Sequence, residues 1–257
     1  MKKKYIKLPK ISIITVVLNG DKTINKCIKS VIAQSYPSHK IEHVIIDGGS
    51  QDKTTSIIKR YRHKIAYWHS KKDKGLYDAM NIGLKKCTGN IIGILNSDDF
   101  FNKNTLKIVS KYFIKYKIDF LFGSVKKSRI YHNFFPEKLW YTFNIYPAHS
   151  VGFFIKKSAQ KKVGNFNIKF KYSADRDFLY RLIKNKKFNG MAVKKREVFG
   201  KFCLQGASSR VGFLEKNIEE IRIRISNNEN IFKVLLFFLI YFNYYFIKKI
   251  ILFFRYV

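Results

Sequence analysis

"GNIIGILNSDDF", Gly89 to Phe100, carries Ile91, Ile92, Ile94 and Leu95 in one apolar run and ends on adjacent carboxylates, Asp98 and Asp99. A short β-branched and aliphatic run between a glycine turn and polar residues reads as a strand buried on both faces. Acids are scarce in this chain: its 257 residues hold 51 Lys plus Arg against 17 Asp plus Glu, a formal charge of +34. Two of them abutting at a strand tip repel each other unless a cation or a set of donors lies between them.

Working outward, the same signature recurs. "ISIITVVL" (Ile11–Leu18) is a second doubly buried strand, and "IEHVIID" (Ile41–Asp47) a third, with a helical pattern between them through Val31. A helix follows through Ile57, Ile58 and Tyr61, then a short strand near Ile65–Trp68. Apolar residues at 76, 79, 80, 83, 84 and 87 repeat at helical spacing and predict an amphipathic helix. Beyond the opening stretch lie a helix through Leu106, Ile108 and Val109 and a strand at "IDFLFG". Strands alternating with helices predict an open α/β sheet with right-handed crossovers, whose ligands sit outside the carboxyl ends of the strands. Asp47, Asp98 and Asp99 all fall at those ends. The second half is less regular: aromatic-rich, interrupted by Pro136 and Pro147, with helices expected near Asp175 and over Val211–Ile225.

The hydrophobic share of 46% and aromatic share of 16% exclude a disordered chain. A charge of +34 favours anionic partners, or it is lysine spread over ordinary solvated faces. Cys27, Cys87 and Cys203 are single and far apart, which argues against a disulfide framework or a zinc site and for a reducing compartment. Cys27 shares a helical face with Ile24, Ile28, Val31 and Ile32, and Cys87 with Leu76, Met80 and Leu84, as small core residues do. "MKKKYIKLPK" runs straight into a strand and lacks the pattern of a secretion signal. At the other end, "IFKVLLFFLIYFNYYFIKKIILFF" (Ile231–Phe254) would make a helix of ~36 Å at about 1.5 Å per residue. Lys233, Asn243, Lys248 and Lys249 interrupt it, so a helix lying in the membrane interface is expected ahead of a full crossing or a buried or dimer-forming helix.

Four local features carry chemistry. "VIIDGGSQDKT" (Val44–Thr54) delivers Asp47 into a Gly-Gly-Ser turn, where glycines permit close backbone approach and the carboxylate can accept from a base or ribose; a plain turn with an Asp52 helix cap fits equally. "DKGLYDAMNIGLKKCTG" (Asp73–Gly89) places Asp78 and Asn81 on one polar helix face beside Asp73. In "LNSDD" the hard oxygens suit Mg²⁺ or Mn²⁺ bridging to phosphates, or else Asp98 or Asp99 caps a helix. In "YSADRDFLYRL" (Tyr172–Leu182), Asp175 and Asp177 open a helix, as a general base or as acids favoured by the helix dipole.

In this order and spacing, the segments "ISIITVVLN", "IIDGGSQDKT", "SKKDKGLYDAMNIGL", "GNIIGILNSDD", "AHS", "ADRDFLYRL" and "QGASS", between Ile11 and Ser209, resemble the GT-A glycosyltransferases of family 2. The likeness is greatest to bacterial members that build capsule, O-antigen, lipopolysaccharide and other surface glycans. It implies a Rossmann-like, open, mostly parallel α/β sheet with a nucleotide-sugar half at 1–125, an acceptor and base region at 126–228, and a hydrophobic membrane-associating tail at 229–257. It implies, further, that Thr15 and Asp47 hold the nucleoside and that Asp73, Lys74 and Gly75 close near the uracil-type base and ribose of a UDP-sugar. Asn19, Asp78, Asn81 and Ser97 would line the same donor site. Asp98, supported by Asp99, would ligate Mn²⁺ or Mg²⁺, the Gly206–Ser209 loop would lie near the diphosphate, and Asp175, or Asp177, would deprotonate the hydroxyl of a glycan or lipid-linked acceptor, with inversion.

The chain departs from the family pattern at three places. The acid-x-acid metal motif reads Asn96-Ser97-Asp98, removing one charge; Lys71 and Lys72 stand where an acid often precedes "DKG"; and Ala174-Asp175 replaces the usual Glu-Asp. The expected setting is the cytoplasmic face of a bacterial inner membrane with an anionic surface as partner, and an oligomer is left open. A basic nucleic-acid-binding protein is the rival, weakened by the lack of any RNP motif or zinc finger; the lack of G-x-G-x-x-G and P-loop motifs speaks against dinucleotide oxidoreductases and NTPases.

Overall fold

The computed structural model describes residues 7–141, 150–203 and 212–254. Its centre is strand β1, Ile11–Val17, seven consecutive buried residues of which all but Ser12 are β-branched and favour extended backbone. On one side of β1 lie β2 (Ile41–Asp47) and β3 (Tyr67–Ser70), both parallel; on the other lies β4 (Ile91–Ile94), also parallel. The chain reverses its direction of travel across the sheet between β3 and β4, so the crevice beyond the ends of β1, β2 and β4 is the topological switch point.

The sheet continues past β4 with β9 (Phe153–Lys156), antiparallel to both neighbours, then β6 (Phe120–Phe122) and β10 (Gly190–Ala192). Strands β9 and β10, from beyond residue 126, thus belong to the same sheet as β1–β4. A second, four-stranded sheet, β5 (Phe100–Phe101), β11 (Val198–Lys201), β7 (Ser124–Lys126) and β8 (Ile130–Tyr131), forms directly after the β4 tip. The strand expected near Ile65–Trp68 starts two residues late: Ile65 ends a 3₁₀ turn, and pairing begins only at Val44 opposite Tyr67.

Helix α1 (Ile24–Ile32) buries Ile24, Cys27, Ile28 and Val31 but leaves Ile32 exposed. Helix α2 is Thr54–Arg60, and α3 (Leu76–Lys86) buries Tyr77, Ala79, Met80, Asn81, Gly83 and Leu84 while Leu76 lies outside, in the first turn. Burial pushes both Cys27 and Cys87 thiols up to about 12, as fits core residues rather than nucleophiles. Helices α4 (Thr105–Lys115), α5 (Lys157–Val163) and α6 (Ala174–Lys184) complete the layers.

Helices α7 (Phe213–Ser226) and α8 (Ile231–Phe254) follow as a hairpin. Arg224 pairs with Glu229 at 3.0 Å and donates to the carbonyl of Leu139, fastening the corner to the 3₁₀ segment Pro136–Trp140. On α8, Val234 is buried and the Phe237 ring lies 5.4 Å from Trp140, while Leu239, Ile240, Tyr241, Tyr244, Phe246, Ile247 and Ile251 are exposed. Among the described residues, no helix is long and apolar enough to cross a membrane.

Candidate active site

Three turns meet at the switch point. Asp47 ends β2 fully buried; its Oδ2 accepts from Ser50 N at 3.0 Å and Ser70 Oγ at 2.5 Å, and its Oδ1 from the Ser50 hydroxyl. Both oxygens are thus engaged in shaping the Gly-Gly-Ser turn, and Oδ1 keeps one acceptor position. Ser50 Oγ also accepts from Asn19 N at 2.7 Å, which joins this turn to the one after β1. Asn19 takes φ 50°, a left-handed conformation that Asn tolerates, and its Oδ1 accepts from Gln51 N at 2.9 Å.

The second turn is Asp73–Gly75. Asp73 Oδ1 accepts from Gly75 N at 2.8 Å, and its carboxylate lies so near Gly48 that a Cβ there would stand 2.8 Å from Oδ2. Gly75 enters α3 at φ 113°, open only to glycine without strain. Asp78 reaches back one turn to accept from Lys74 N at 3.0 Å. Lys74 and Gly75 are exposed.

The third turn is Asn96–Asp99, closed by Asp99 N donating to Asn96 O at 3.0 Å, with Ser97 Oγ against Gly20. Neither acid caps a helix, because β5 intervenes and α4 begins only at Thr105. Asp98 is half-buried and burial raises its carboxyl; Asp99 is 1% exposed and is pushed up to about 8 by burial and then by the charge of Asp98. Asp99 Oδ1 accepts from Cys203 N at 3.0 Å, while Asp99 Oδ2 and Asn96 Oδ1 are buried acceptors with no partner among the described residues. Lys127 lies near enough to lower Asp99, and its own ammonium is held below the ordinary lysine value by burial.

Unpartnered hard oxygens on Asn96 and Asp99 beside the half-buried carboxylate of Asp98 are the donor set that a divalent cation satisfies, so the residues fit Mg²⁺ or Mn²⁺. Among the described residues no cluster of three or more His, Cys, Asp or Glu side chains exists. The remaining positions would therefore go to water and to phosphate oxygens, as this cation class prefers.

Helix α6 carries Asp175, half-buried, whose Oδ1 accepts from Tyr77 OH at 2.9 Å and Arg176 N at 2.9 Å. Asp177, two residues on, points into the protein: it is 2% exposed, pairs with Arg181 at 2.9 Å and accepts from Asn227 Nδ2 at 3.0 Å. Asp177 thus has donors on both carboxylate oxygens and is engaged within the protein.

Two further expected site residues are spent elsewhere. Thr15 is fully buried, its hydroxyl 2.9 Å from His43 Nε2 under α1, because a strand covered on both faces sends every side chain into a helix layer. Asn81 is buried and clamps the Phe166 backbone, donating to its carbonyl at 2.9 Å and accepting from its amide at 2.9 Å. Gly206–Ser209 and the Ala148–His149 pair lie outside the described residues. Sequence reasoning misses Tyr77, Ser70, Lys127 and the Cys203 amide; only Tyr77 leaves a signal, one helical turn before Asn81.

Comparison with known proteins agrees with this architecture. The model of glycosyl transferase family 2 matches residues 12–187. An uncharacterized glycosyltransferase of Mycobacterium tuberculosis is 39% identical over 94 residues, 37% of this chain and 36% of the relative. The chain spans well under two thirds of the length of that relative. Staphylococcus aureus TarS, solved in complex with UDP-GlcNAc, superposes with TM-score 0.66 at 18% identity over 88% of this chain and 69% of that one. A mannosyltransferase from Pyrobaculum calidifontis, in complex with GDP-Man and Mn²⁺, superposes with TM-score 0.67 at 17% identity over 86% and 64%. At those identities the likeness is one of fold, and it is the GT-A fold.

Proposed function

The chain belongs to glycosyl transferase family 2, and from that premise we propose that it moves a sugar, with inversion, from a nucleotide-sugar donor to a glycan or lipid-linked acceptor. The carrying observation is the set of unpartnered buried oxygens on Asn96 and Asp99 at the switch point, beside Asp98 and facing the turns of Asp47 and Asp73. The donor's nucleoside sits against the Asp47–Gly49 and Asp73–Gly75 turns, with Asn19, Ser97 and Asp78 around it. A UDP-sugar is favoured, in keeping with the UDP-GlcNAc held by the TarS structure, and a hexose or N-acetylhexosamine is the sugar transferred.

Asp98 and Asp99, with Asn96, would hold Mn²⁺ or Mg²⁺, which would supply positive charge for the leaving diphosphate. Asp175 takes the proton of the acceptor hydroxyl as its oxygen attacks the anomeric carbon from the face opposite the diphosphate. The new glycosidic bond forms while the carbon–oxygen bond to the diphosphate breaks, and the nucleoside diphosphate leaves. Support for this role of Asp175 is its hydrogen bond to Tyr77, on the helix that the Asp73–Gly75 turn opens.

A panel of nucleotide sugars with Mn²⁺, read by thermal shift, tests donor binding, since a ligand of the folded state stabilises by mass action. Asp98→Ala abolishes transfer and weakens metal-dependent donor binding; full activity in that variant refutes the site. Asp175→Asn keeps donor binding and loses transfer.

For the acceptor we infer a lipid-linked or polysaccharide chain of a bacterial surface glycan, assembled at the cytoplasmic face of the membrane. The support is α8, whose Leu239, Ile240, Tyr241, Tyr244, Phe246, Ile247 and Ile251 are exposed, together with exposed Trp140 and Tyr141 in a chain of charge +34. Such a helix lies in an anionic interface. Ending the chain at Asn230 should abolish pelleting with vesicles containing phosphatidylglycerol; retained pelleting at high salt counts against the tail.

A further inference from the structure

We propose that Tyr77 is a positioning residue for Asp175, so that helix α3, which carries the donor turn at one end, also aims the base. This rests on the transferase reading above and names a residue that the reading does not require. Tyr77 is 6% exposed, and its hydroxyl lies 2.9 Å from Asp175 Oδ1 and 3.1 Å from the Tyr172 carbonyl just before α6. A phenol has one proton to donate, and the charged carboxylate is the stronger acceptor of the two.

Ring packing holds Tyr77 of α3 and the start of α6 in one register. The Tyr77 ring packs against Phe166 with centroids 5.8 Å apart, and Phe166 packs against Phe178 of α6 at 4.8 Å. One turn later on α3, Asn81 grips the Phe166 backbone at both its amide and its carbonyl. Positions 77 and 81 thus form one face of α3 that holds the segment leading into α6. Asp175 itself is half-buried near the helix start, where its Oδ1 also receives the Arg176 amide. That amide lies on the same element and moves with it, so the Tyr77 bond is the one that fixes the carboxylate relative to the donor side of the crevice. Without it the carboxylate can turn about its side-chain bonds, and displacement of a reacting group by about 1 Å can cost 10²-fold in rate.

The experiment compares wild type, Tyr77→Phe and Asp175→Asn in the full chain, with Mn²⁺ and the donor found by thermal shift. Tyr77→Phe keeps the ring and its packing on Phe166. It is expected to lower kcat by about 10–100-fold, with donor Kd and donor KM within twofold of wild type. Incorporation of difluorotyrosine at 77, which restores the shape and the donated hydrogen bond, should return kcat to within a few-fold of wild type, and it carries the test if the Phe variant unfolds. Unchanged kcat in Tyr77→Phe, or a loss of donor affinity as large as the loss of kcat, overturns the proposal. So does failure of difluorotyrosine to restore the rate in a folded protein. Failure of the underlying reading is separate: it shows as full transfer by Asp175→Asn, or as no donor binding by wild type.

Discussion

Replacing Asp99 by Asn should change how stability responds to pH, and the size follows from its burial. The side chain is 1% exposed, and burial together with the charge of Asp98 moves its carboxyl from the ordinary 3.8 up to about 8. The unfolded chain ionises this group near its ordinary value, so between about pH 4 and 8 the unfolded state binds fewer protons than the native state and stability falls as pH rises. From pH 5 to pH 9 the unscreened loss is about 4 kcal/mol at 1.36 kcal/mol per pKa unit. Relaxation and water entry around an ionised carboxylate reduce that to about 2 kcal/mol, or roughly 4–8 °C in midpoint for a chain of this size. The isosteric Asn keeps the acceptor for Cys203 N and has no such term. The metal-free wild type should therefore lose this much relative to Asp99→Asn across the range, by thermal melts at fixed ionic strength. Mn²⁺ should recover it at pH 9 in the wild type alone, because the cation binds the deprotonated carboxylate. A wild-type minus variant difference that stays flat from pH 5 to 9 would refute the burial argument, and Mn²⁺ stabilising both proteins equally would refute Asp99 as part of the cation site.

Three other outcomes follow from packing and pairing. Arg181→Met strands the Asp177 carboxylate, leaving it buried with only Asn227, and should cost about 3–5 kcal/mol in urea unfolding. Burial alone would raise Glu42, but bonds from Lys10, Ser12 and Thr88 outweigh it and hold the carboxyl at about 2 against an ordinary 4.5. Its folded value is depressed, so its contribution is present above pH 4.5 and is lost as pH falls toward 2; Glu42→Gln should erase about 3 kcal/mol of acid-labile stability, seen as a flatter stability profile below pH 5. In Gly93→Ala the new Cβ would stand 2.4 Å from Phe154 Cε1, so β4 and β9 must part; a loss of about 1–3 kcal/mol by chemical denaturation is expected.

The parallel part of the fold is legible in the sequence because each buried strand is written as one short apolar run, and each covering helix as a 3.6-residue repeat. Strand β9 is not, since "FFIK" meets β4 and β6 only through pairing with segments far away along the chain, and aromatic runs in the second half carry no period. Within the site, the turns after β2 and β4 and before α3 can be found because ligand-facing residues lie past strand ends. Thr15 is misplaced for the same reason in reverse. It stands inside β1, ahead of the turn that Leu18 and Asn19 begin, where helices cover both faces of the strand and no ligand can reach its hydroxyl. The choice between Asp175 and Asp177 is present in the sequence after all. Asp177 and Arg181 are four apart on one helix, a spacing that pairs them, whereas Asp175 has Leu179 at that spacing.

Scarcity of acids turns out to separate structure from chemistry. Five carboxylates are buried among the described residues: Glu42, Asp47, Asp99, Asp177 and Glu219. Glu42 is met by Lys10, Ser12 and Thr88, Asp47 by Ser50 and Ser70, Asp177 by Arg181 and Asn227, and Glu219 by the amides of Lys171 and Tyr172. Each of these four has donors on both oxygens, which is what a purely structural acid requires, since an unpartnered buried oxygen costs the full desolvation of the group. Asp99 keeps one oxygen bare, next to a second acid, in a chain with 51 cationic side chains available to cover it. Among the described residues every other buried acid is met on both oxygens, and the open oxygen of Asp99 is the position that the proposed cation would fill.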